Sequence, residues 1–345
     1  MSEQTTTSSA ARPPADSGNA GSGSIVKRIL GGSAGRNAGL VIALILLVII
    51  GGATSGDSFL SLNNLLTVLR LASIIGVISI GMTFVIISGG IDLSVGSVLG
   101  LTSVVATLAA VQTAATSFWP LMVIIALAVG VFAGIINGVV IAYGNVVAFM
   151  ATLAMLVAAR GVAEILSKRS TQIVNNNEFG DIFGGDLIGV PVLIWMFVLV
   201  AVAGWILLNR TTFGRRTVAI GGNREAARLA GINVKRHTVY LYALAGLTAG
   251  IAGIMMLGRT TAGTSTHGTL YELDAIAAVV VGGTLLVGGR GSIVGTVLGV
   301  LIFATLTNVF TQNNLDTSVQ AVAKGLIIVI AVLLQQRFAS RGRAH

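Results

Sequence analysis

The sequence of 345 residues contains no cysteine and very few charged residues. The absence of cysteine excludes disulfides, thiolate metal sites and cysteine nucleophiles. Charged residues make up 10% of the chain and hydrophobic residues 54%, whereas soluble domains are about 25% charged. A chain of this length cannot cover a soluble surface with so few charges. The composition therefore argues against a soluble enzyme, a disordered chain, a coiled coil or collagen.

Motifs for several chemistries are also missing. The sequence has no G-x-x-x-x-G-K-[ST] phosphate loop for ATP and no G-x-S-x-G nucleophile elbow. Its histidines, His237, His267 and His345, are far apart and lack the spacing of metal ligands. The Arg-rich stretches have no interleaved aromatic residues, which argues against nucleic acid as a partner. We predict no catalytic, cofactor-binding or metal-binding residue in this chain.

Long apolar runs occupy most of the sequence, and the mean hydropathy is +0.92. A helix that crosses a bilayer needs about 20 apolar residues. We predict an all-α membrane protein, a multi-pass bundle of about ten transmembrane helices. The short turn at 88–93 and the Gly-rich stretch 282–295 each fit a re-entrant segment as well as a plain loop. The predicted spans begin with the run 40–50 and continue at about 64–87, 94–112, 119–142, 147–166, 190–208, 238–257, 273–289, 292–311 and 318–335.

Positive charge is distributed unevenly between the two sides of this bundle. With the N-terminus in the cytoplasm, fifteen of the 21 Lys and Arg residues lie in cytoplasmic segments and three, Lys168, Arg169 and Arg259, in outer loops. This asymmetry follows the positive-inside rule and predicts that both termini are cytoplasmic, although eight or twelve spans would preserve it. Residues 1–36 are predicted to be a disordered cytoplasmic tail, 37–337 the transmembrane domain and 338–345 a basic cytoplasmic tail. The first apolar run resembles a signal peptide, but the many later runs favour a membrane helix.

The longest predicted cytoplasmic connection, 209–237, contains a pattern for a short helix. Asn223 is a good N-cap and Glu225 complements the helix dipole in the first turn. Ala226 and Ala227 favour helix, and Gly231 suits the left-handed position after its end. The pattern predicts about two turns outside the membrane. Two interpretations remain open, a helix held by lipid head groups and a docking site for a partner protein.

Several acidic residues lie at or near the predicted membrane region. Asp92 lies between two apolar runs, and Ser94 is positioned to cap the next helix. Glu272 and Asp274 open the span near 273. Ionisable groups in membranes face the bundle interior or water, so each acid fits either a translocation pathway or a helix N-terminus stabilised by the dipole.

Three basic residues fall inside predicted spans. Arg160 lies four residues before Glu164, a spacing that predicts a structural pair on one helix face. Arg70 and Lys324 are expected either to extend towards an interface or to meet an acid.

Small residues recur with two kinds of regularity. Glycines at GxxxG spacing, such as Gly130, Gly134 and Gly138, predict close helix crossings. The hexapeptide Val95–Gly100 is echoed by Val294–Gly299. Transporters often contain internal repeats, but six small and β-branched residues also coincide by chance.

About a dozen short segments, spread in order over residues 40–337, match the pattern of a known family. They are Gly81–Ser97, Ala151–Met155, Arg160–Gly161, Leu187–Pro191, Thr212–Arg216, Ala219–Asn223, Ala230–Val234, Tyr271–Ala278, Gly282–Thr284, Gly288–Gly291 and Gly295–Thr296. In these segments the chain resembles the permease subunit of ribose-type ABC sugar importers. It departs from that pattern in its long polar N-terminus and in the loop 312–317.

The resemblance implies a function and a set of partners. It implies a permease in a bacterial cytoplasmic membrane that forms the pathway for a monosaccharide, with no cofactor on this chain. A second permease chain, in a homodimer or heterodimer, would complete the core, an ATP-binding subunit would drive it, and an extracytoplasmic sugar-binding protein would deliver the sugar. It also implies that 221–231 docks on the ATPase as a coupling helix. Predicted coupling residues are Gly221, Gly222, Asn223, Arg224, Glu225, Ala226, Ala227 and Gly231, and predicted pathway residues are Asp92, Ser94, Glu272 and Asp274.

Three alternatives remain beside this interpretation. One is a self-contained secondary transporter or channel that uses Asp92 and Lys324 for ion coupling. Another is an ABC permease for nucleosides or branched-chain amino acids. The least favoured is a membrane enzyme, because no catalytic cluster lies at one membrane face.

Overall fold

The computed structural model describes residues 33–341, and within that range the side chains of 33–36, 328, 331–332 and 334–341 are not described. Predictions for 1–32 and 342–345 lie outside the described residues. Residues 33–36, predicted as part of a tail, form the start of the first described helix. The helices are α1 (Ser33–Leu60), α2 (Leu62–Ile87), α3 (Val95–Ala106), α4 (Ala109–Ala114), α5 (Pro120–Ala142), α6 (Ala148–Ser167), α7 (Asn177–Gly184), α8 (Val192–Arg210), α9 (Thr212–Gly222), α10 (Arg224–Leu229), α11 (Val234–Thr260), α12 (Tyr271–Val281), α13 (Ile293–Gln312) and α14 (Thr317–Arg341).

Seven of the described helices are long and apolar enough to cross a membrane, namely α1 from Asn37, α2, α5, α6, α8, α11 and α13. Two of the predicted spans, 94–112 and 273–289, are not single continuous helices in the structure. The first contains the 12-residue α3 followed by the separate α4, and the second contains the 11-residue α12 followed by a Gly-rich turn. Gly89, Gly283, Gly288 and Gly289 have positive φ. Gly89 lies in the predicted turn 88–93, and the other three allow the chain to turn sharply where a continuous helix was expected.

Two long helices form the centre of the bundle. In their most apolar 18-residue windows, α2 is 83% buried and α11 is 78% buried, whereas α1 is 6% buried. α11 packs along α5, α2 and α3. The predicted GxxxG crossing is present, because a Cβ on Gly134 would overlap the carbonyl oxygen of Tyr242 in α11. Small residues therefore bring α5 and α11 backbone to backbone, as membrane bundles allow.

The two outer loops of the prediction are joined by a short strand pair. β1 (Gln172–Ile173) pairs antiparallel with β4 (Ala262–Gly263). A second pair, β2 (Asp186–Leu187) with β3 (Val190–Pro191), precedes α8. The segment 168–189, predicted as a plain loop, also contains the helix α7, which Asn176 caps by accepting from the Phe179 N–H at 3.0 Å. These contacts fix both loops at one end of the bundle.

Two glycine turns meet at another place in the bundle. One turn connects α2 to α3 and contains Gly89, and the other connects α12 to α13 and contains Gly288. A Cβ on Gly288 would lie 2.9 Å from the Gly89 nitrogen. The echoed hexapeptides follow these turns, so both occur in the same helix–glycine turn–helix arrangement.

Candidate coupling segment and buried acids

The predicted cytoplasmic helix is present as α10, which follows α9 after the single residue Asn223. The Asn223 side chain accepts from the Ala226 N–H at 2.9 Å, which makes it the predicted N-cap. At the other end Gly231 has φ +82°, and the Ile232 N–H donates to the Ala227 carbonyl at 3.1 Å. This is the bond of a Schellman C-cap. Local residues therefore satisfy both ends of the helix.

Most side chains of α10 are exposed. Of its described residues, Ala227 is buried, packed with Ile220 and Val234. Leu229 is 76% exposed, and Arg224, Glu225 and Ala226 are exposed as well. α10 is therefore a short helix with capped ends, one buried residue and an exposed leucine.

One ion pair lies on the exposed face of α10. Arg228 Nη2 donates to Glu225 Oε1 at 2.6 Å, and its Nε lies 3.1 Å from both carboxylate oxygens. Hydrogen bonding from Arg228 lowers the pKa of Glu225 from its ordinary value of 4.5. The same bonds raise the pKa of Arg228. Glu225 is therefore a carboxylate at neutral pH, in the first turn where the dipole favours it.

A cavity of about 750 Å³ lies beside α10. The exposed helix forms one wall with Arg224, Glu225 and Arg228, and Lys235 of α11 lies close by. The turn Ser88–Gly90 and Tyr242 of α11 also line it. The cavity thus extends from α10 to the turn that precedes α3.

Asp92 and Ser94 lie at that turn and bond to each other. Asp92 is 1% exposed, and its Oδ1 accepts from the Ser94 N–H at 2.8 Å and from the Ser94 hydroxyl at 2.6 Å. Asn137 of α5 donates to the Ser94 hydroxyl at 2.9 Å. Ser94 precedes α3 but makes no side-chain cap bond to it, contrary to its predicted capping role, because its hydroxyl is turned to Asp92.

Glu272 lies at the start of α12, against α3. It is 8% exposed, and its Oε2 has no hydrogen-bond partner among the described residues. A Cβ on Gly96 of α3 would overlap that oxygen. The nearby positive group is Arg160 of α6, whose charge attracts the carboxylate. A buried acid with one unpaired oxygen is costly, and the charge of Arg160 offsets part of that cost.

Arg160 makes contacts that its sequence spacing did not indicate. Its Nη1 donates to the carbonyl oxygens of Ser265 and His267, the latter at 2.8 Å. The predicted pair with Glu164 is not formed, because Glu164 Oε2 accepts from Arg169 at 3.0 Å. Arg160 instead fixes the irregular segment between β4 and α12. No local signal in the sequence could indicate backbone carbonyls more than 100 residues away.

Each of the two remaining basic residues meets an acid. Lys324 Nζ of α14 lies 3.5 Å from Asp274 Oδ2, with the two side chains 21% and 20% exposed. Arg70 Nη2 lies 3.4 Å from Asp186 Oδ1, at 46% and 49% exposure. Asp274 and Glu272 are two residues apart on α12, and their basic neighbours belong to α14 and α6. Glu272 and Asp274 therefore have different basic neighbours.

Sequence reasoning missed several side chains around Asp92. Tyr242 is 1% exposed, and its hydroxyl donates to the Ile91 carbonyl at 3.3 Å. Thr152 of α6 donates to the same carbonyl at 3.4 Å. A tyrosine within an apolar span that finds a polar partner is the signal that could have identified the first. Among the described residues, no group of three or more His, Cys, Asp or Glu could hold a metal ion.

Comparison with known proteins places the chain in a family of transport proteins. A family profile described as a branched-chain amino acid transport system / permease component matches residues 64–332. That match covers well over half of the chain. The chain belongs to this permease family. It is therefore a multi-pass membrane transporter subunit rather than an enzyme.

The relatives have narrower names. The chain is 40% identical over 303 residues to the ribose import permease protein RbsC of Escherichia coli K12, which covers 86% of this chain and 92% of the relative. It is 42% identical over 301 residues to ribose import permease protein RbsC of Bacillus subtilis, with 87% and 92% covered. The xylose transport system permease protein XylH of Escherichia coli K12 is 34% identical over 356 residues, with 85% and 90% covered. No solved structure matched the chain.

Proposed function

We propose that this chain is the membrane permease of an ATP-driven importer that takes up a monosaccharide. The observation that carries the proposal is 40% identity over 86% of the chain to a ribose import permease. A xylose transport permease is 34% identical to the chain, and xylose is also a monosaccharide. The family description names branched-chain amino acids, which makes an amino acid permease the second candidate.

The proposed topology has ten crossings with both termini in the cytoplasm. Seven helices have the length and hydropathy for a crossing. α14 has 25 residues, and in this proposal α3 and α12 cross the membrane together with the irregular segments beside them. Positive residues concentrate around α9 and α10, and the positive-inside rule places such segments in the cytoplasm. This topology puts the β1–β4 pair on the outer face, where an extracytoplasmic sugar-binding protein would dock.

The coupling helix of the proposal is α10 with its flanking residues 221–223 and 230–231. Two features of α10 support this assignment. Both of its ends are capped by residues of the same segment, and most of its side chains are exposed. A separate ATP-binding subunit would hold ATP and receive this helix, and a second permease chain would complete the pathway. The ATP-binding subunit can move the helix between two conformations only if it binds the helix with a different affinity in each.

For the pathway, Glu272 and Asp274 are the stronger candidates. Glu272 has an unpaired carboxylate oxygen in the described chain, and Asp274 lies partly exposed beside Lys324. Carboxylates bind sugar hydroxyls well because charged acceptors make the stronger hydrogen bonds. Asp92 and Ser94 remain predicted pathway residues, although their polar atoms in this structure bond within the turn and to α5.

The proposal is tested by purifying the tagged chain in mild detergent from its native membranes and identifying the bound proteins by mass spectrometry. We expect an ATP-binding subunit at about equal stoichiometry. Leu229→Glu should remove it, because the substitution places a charge at the exposed apolar position of α10. The matched control is Ile188→Glu, since Ile188 is 86% exposed in the β2–β3 turn. A chain that purifies alone, or that keeps the ATPase equally in both variants, would contradict the proposed docking site.

A further inference from the structure

Three glycine pairs from distant parts of the chain meet at the base of the coupling segment. They are Gly89–Gly90 after α2, Gly221–Gly222 at the end of α9, and Gly288–Gly289 between α12 and α13. The Gly289 N–H donates to the Ile87 carbonyl at 2.8 Å. A Cβ on Gly288 would lie 3.0 Å from the carbonyl oxygens of both Gly221 and Ile87. Three backbones thus touch with no side chain between them, and we name residues 87–90, 221–222 and 288–289 the glycine junction.

Gly221 makes the closest contact in the glycine junction. A Cβ there would overlap the Ile87 carbonyl oxygen and lie 2.5 Å from the Gly289 nitrogen. It would therefore intrude on the hydrogen bond that joins the two turns. Gly221 lies within α9 and has no positive φ, so the need for glycine comes from its neighbours and not from its backbone conformation. Gly222 differs, because no described atom lies within 4 Å of a Cβ placed there.

The glycine junction connects the coupling helix to two internal helices. Asn223, the N-cap of α10, directly follows Gly222. One turn leads through Asp92 into α3, and the other is the inner end of α12, whose opposite end carries Glu272 and Asp274. Closely packed backbone is nearly incompressible and passes displacement on. A movement of α9 and α10 would reach both turns at once.

We infer that the glycine junction moves as one body and transmits displacement of the coupling helix to α3 and α12 together. The inference rests on the proposed function, in which an ATPase moves α10. Gly221 is in this view a positioning residue, because its closest contacts are with the two turns of the junction. Its absence of a side chain is what lets α9 remain in contact with both turns.

The first test compares Gly221→Ala with Gly161→Ala in the complete importer, because Gly161 lies in α6 and has no described atom within 4 Å of an added Cβ. Both variants keep residues 224–231, so both should co-purify the ATPase subunit. Gly221→Ala should lower sugar uptake at least tenfold, because α9 must separate from Ile87 and Gly289, while Gly161→Ala should stay within twofold of the parent. Equal uptake by the two variants overturns the inference. Failure of the proposed function looks different, since the unsubstituted chain would then not co-purify an ATPase.

A second test decides the case in which Gly221→Ala simply folds poorly. The chain has no cysteine, so Val218→Cys with Val287→Cys adds two unique thiols, which can be spin-labelled before assembly with the ATPase. Val218 lies in α9 and is 38% exposed, and Val287 precedes Gly288 and is 70% exposed. The distance between the two labels should be the same with and without ATP, because the two segments move together. A distance that changes on ATP binding overturns the inference.

Discussion

The coupling segment and the buried acids are held in opposite ways. α10 is stabilised by bonds to residues within the same short stretch, from the Asn223 cap to the turn at Gly231. Glu272 and Asp274 depend on Arg160 and Lys324, which come from helices distant in the sequence. The first arrangement leaves side chains free for a partner. In the second arrangement, charged side chains hold irregular segments inside the bundle, where water is not available to hydrogen-bond with the backbone of those segments.

This difference predicts where substitutions cause damage. Substitutions among the buried acids and their basic partners should destabilise the permease itself, since they leave buried polar atoms unpaired. Changes in the coupling segment should leave the bundle intact and act on partner binding.

The largest effect is expected from Arg160→Ala. The substitution removes the donor to the Ser265 and His267 carbonyls and the charge beside Glu272. Each buried acceptor left without its donor costs about 1–3 kcal/mol. Thermal unfolding of the detergent-purified chain measures it. Arg169→Ala is the control, because its pair with Glu164 is exposed at 82% on the arginine side and should contribute below about 1 kcal/mol. Similar melting temperatures for the two variants would contradict the structural role of Arg160.

A smaller effect is expected at Lys324 and Asp274. Lys324→Met leaves Asp274 as a partly buried acid without its cation, and Asp274→Asn in the same chain should recover part of the loss. A double-mutant cycle should give a coupling energy of about 1–3 kcal/mol. The same cycle on Arg70 and Asp186, which are about half exposed, should give less than about 1 kcal/mol. Equal coupling energies would mean that burial does not separate the two pairs.

In the coupling segment, Asn223→Ala should loosen α10 without unfolding the bundle. Loss of an N-cap costs about 1 kcal/mol, which is about a fivefold increase in local opening. Hydrogen exchange of 224–229 should accelerate by that factor, and the melting temperature should stay unchanged. Asn209→Ala is the control, because Asn209 lies in α8 and donates to the Trp205 carbonyl instead of capping α10. If α10 exchanges at the same rate in both variants, the cap does not hold the helix.

The smallest effect is expected from pH. Glu225 has a lowered pKa because of its hydrogen bonds from Arg228. A carboxylate with a depressed folded pKa contributes above its ordinary pKa, and the contribution is lost as the pH falls through the folded value. Between pH 8 and 6 the pair stays ionised, so ATPase co-purification should change less than twofold. A midpoint within that range would assign the binding to another titrating group.

The same contrast explains what could be predicted from the sequence. Asn223, Gly231 and the intervening alanines are local signals, and the structure confirms the helix that they predict. Arg160 was paired with Glu164 because both lie at helical spacing, but the arginine bonds to carbonyls of a segment that only the tertiary fold brings near. The breaks after Ala106 and Val281 were also missed, since apolar composition alone does not separate a continuous span from a short helix followed by a turn. Gly283, Gly288 and Gly289 were the available signal for the turn after Val281.

Sugar uptake in vesicles tests the central claim most directly. The chain would be reconstituted with its ATP-binding subunit and sugar-binding protein, and uptake of a labelled pentose would be followed with and without ATP. The account predicts uptake that requires ATP and the binding protein and that is abolished by Leu229→Glu. Uptake by the purified chain alone, without ATP, would contradict it.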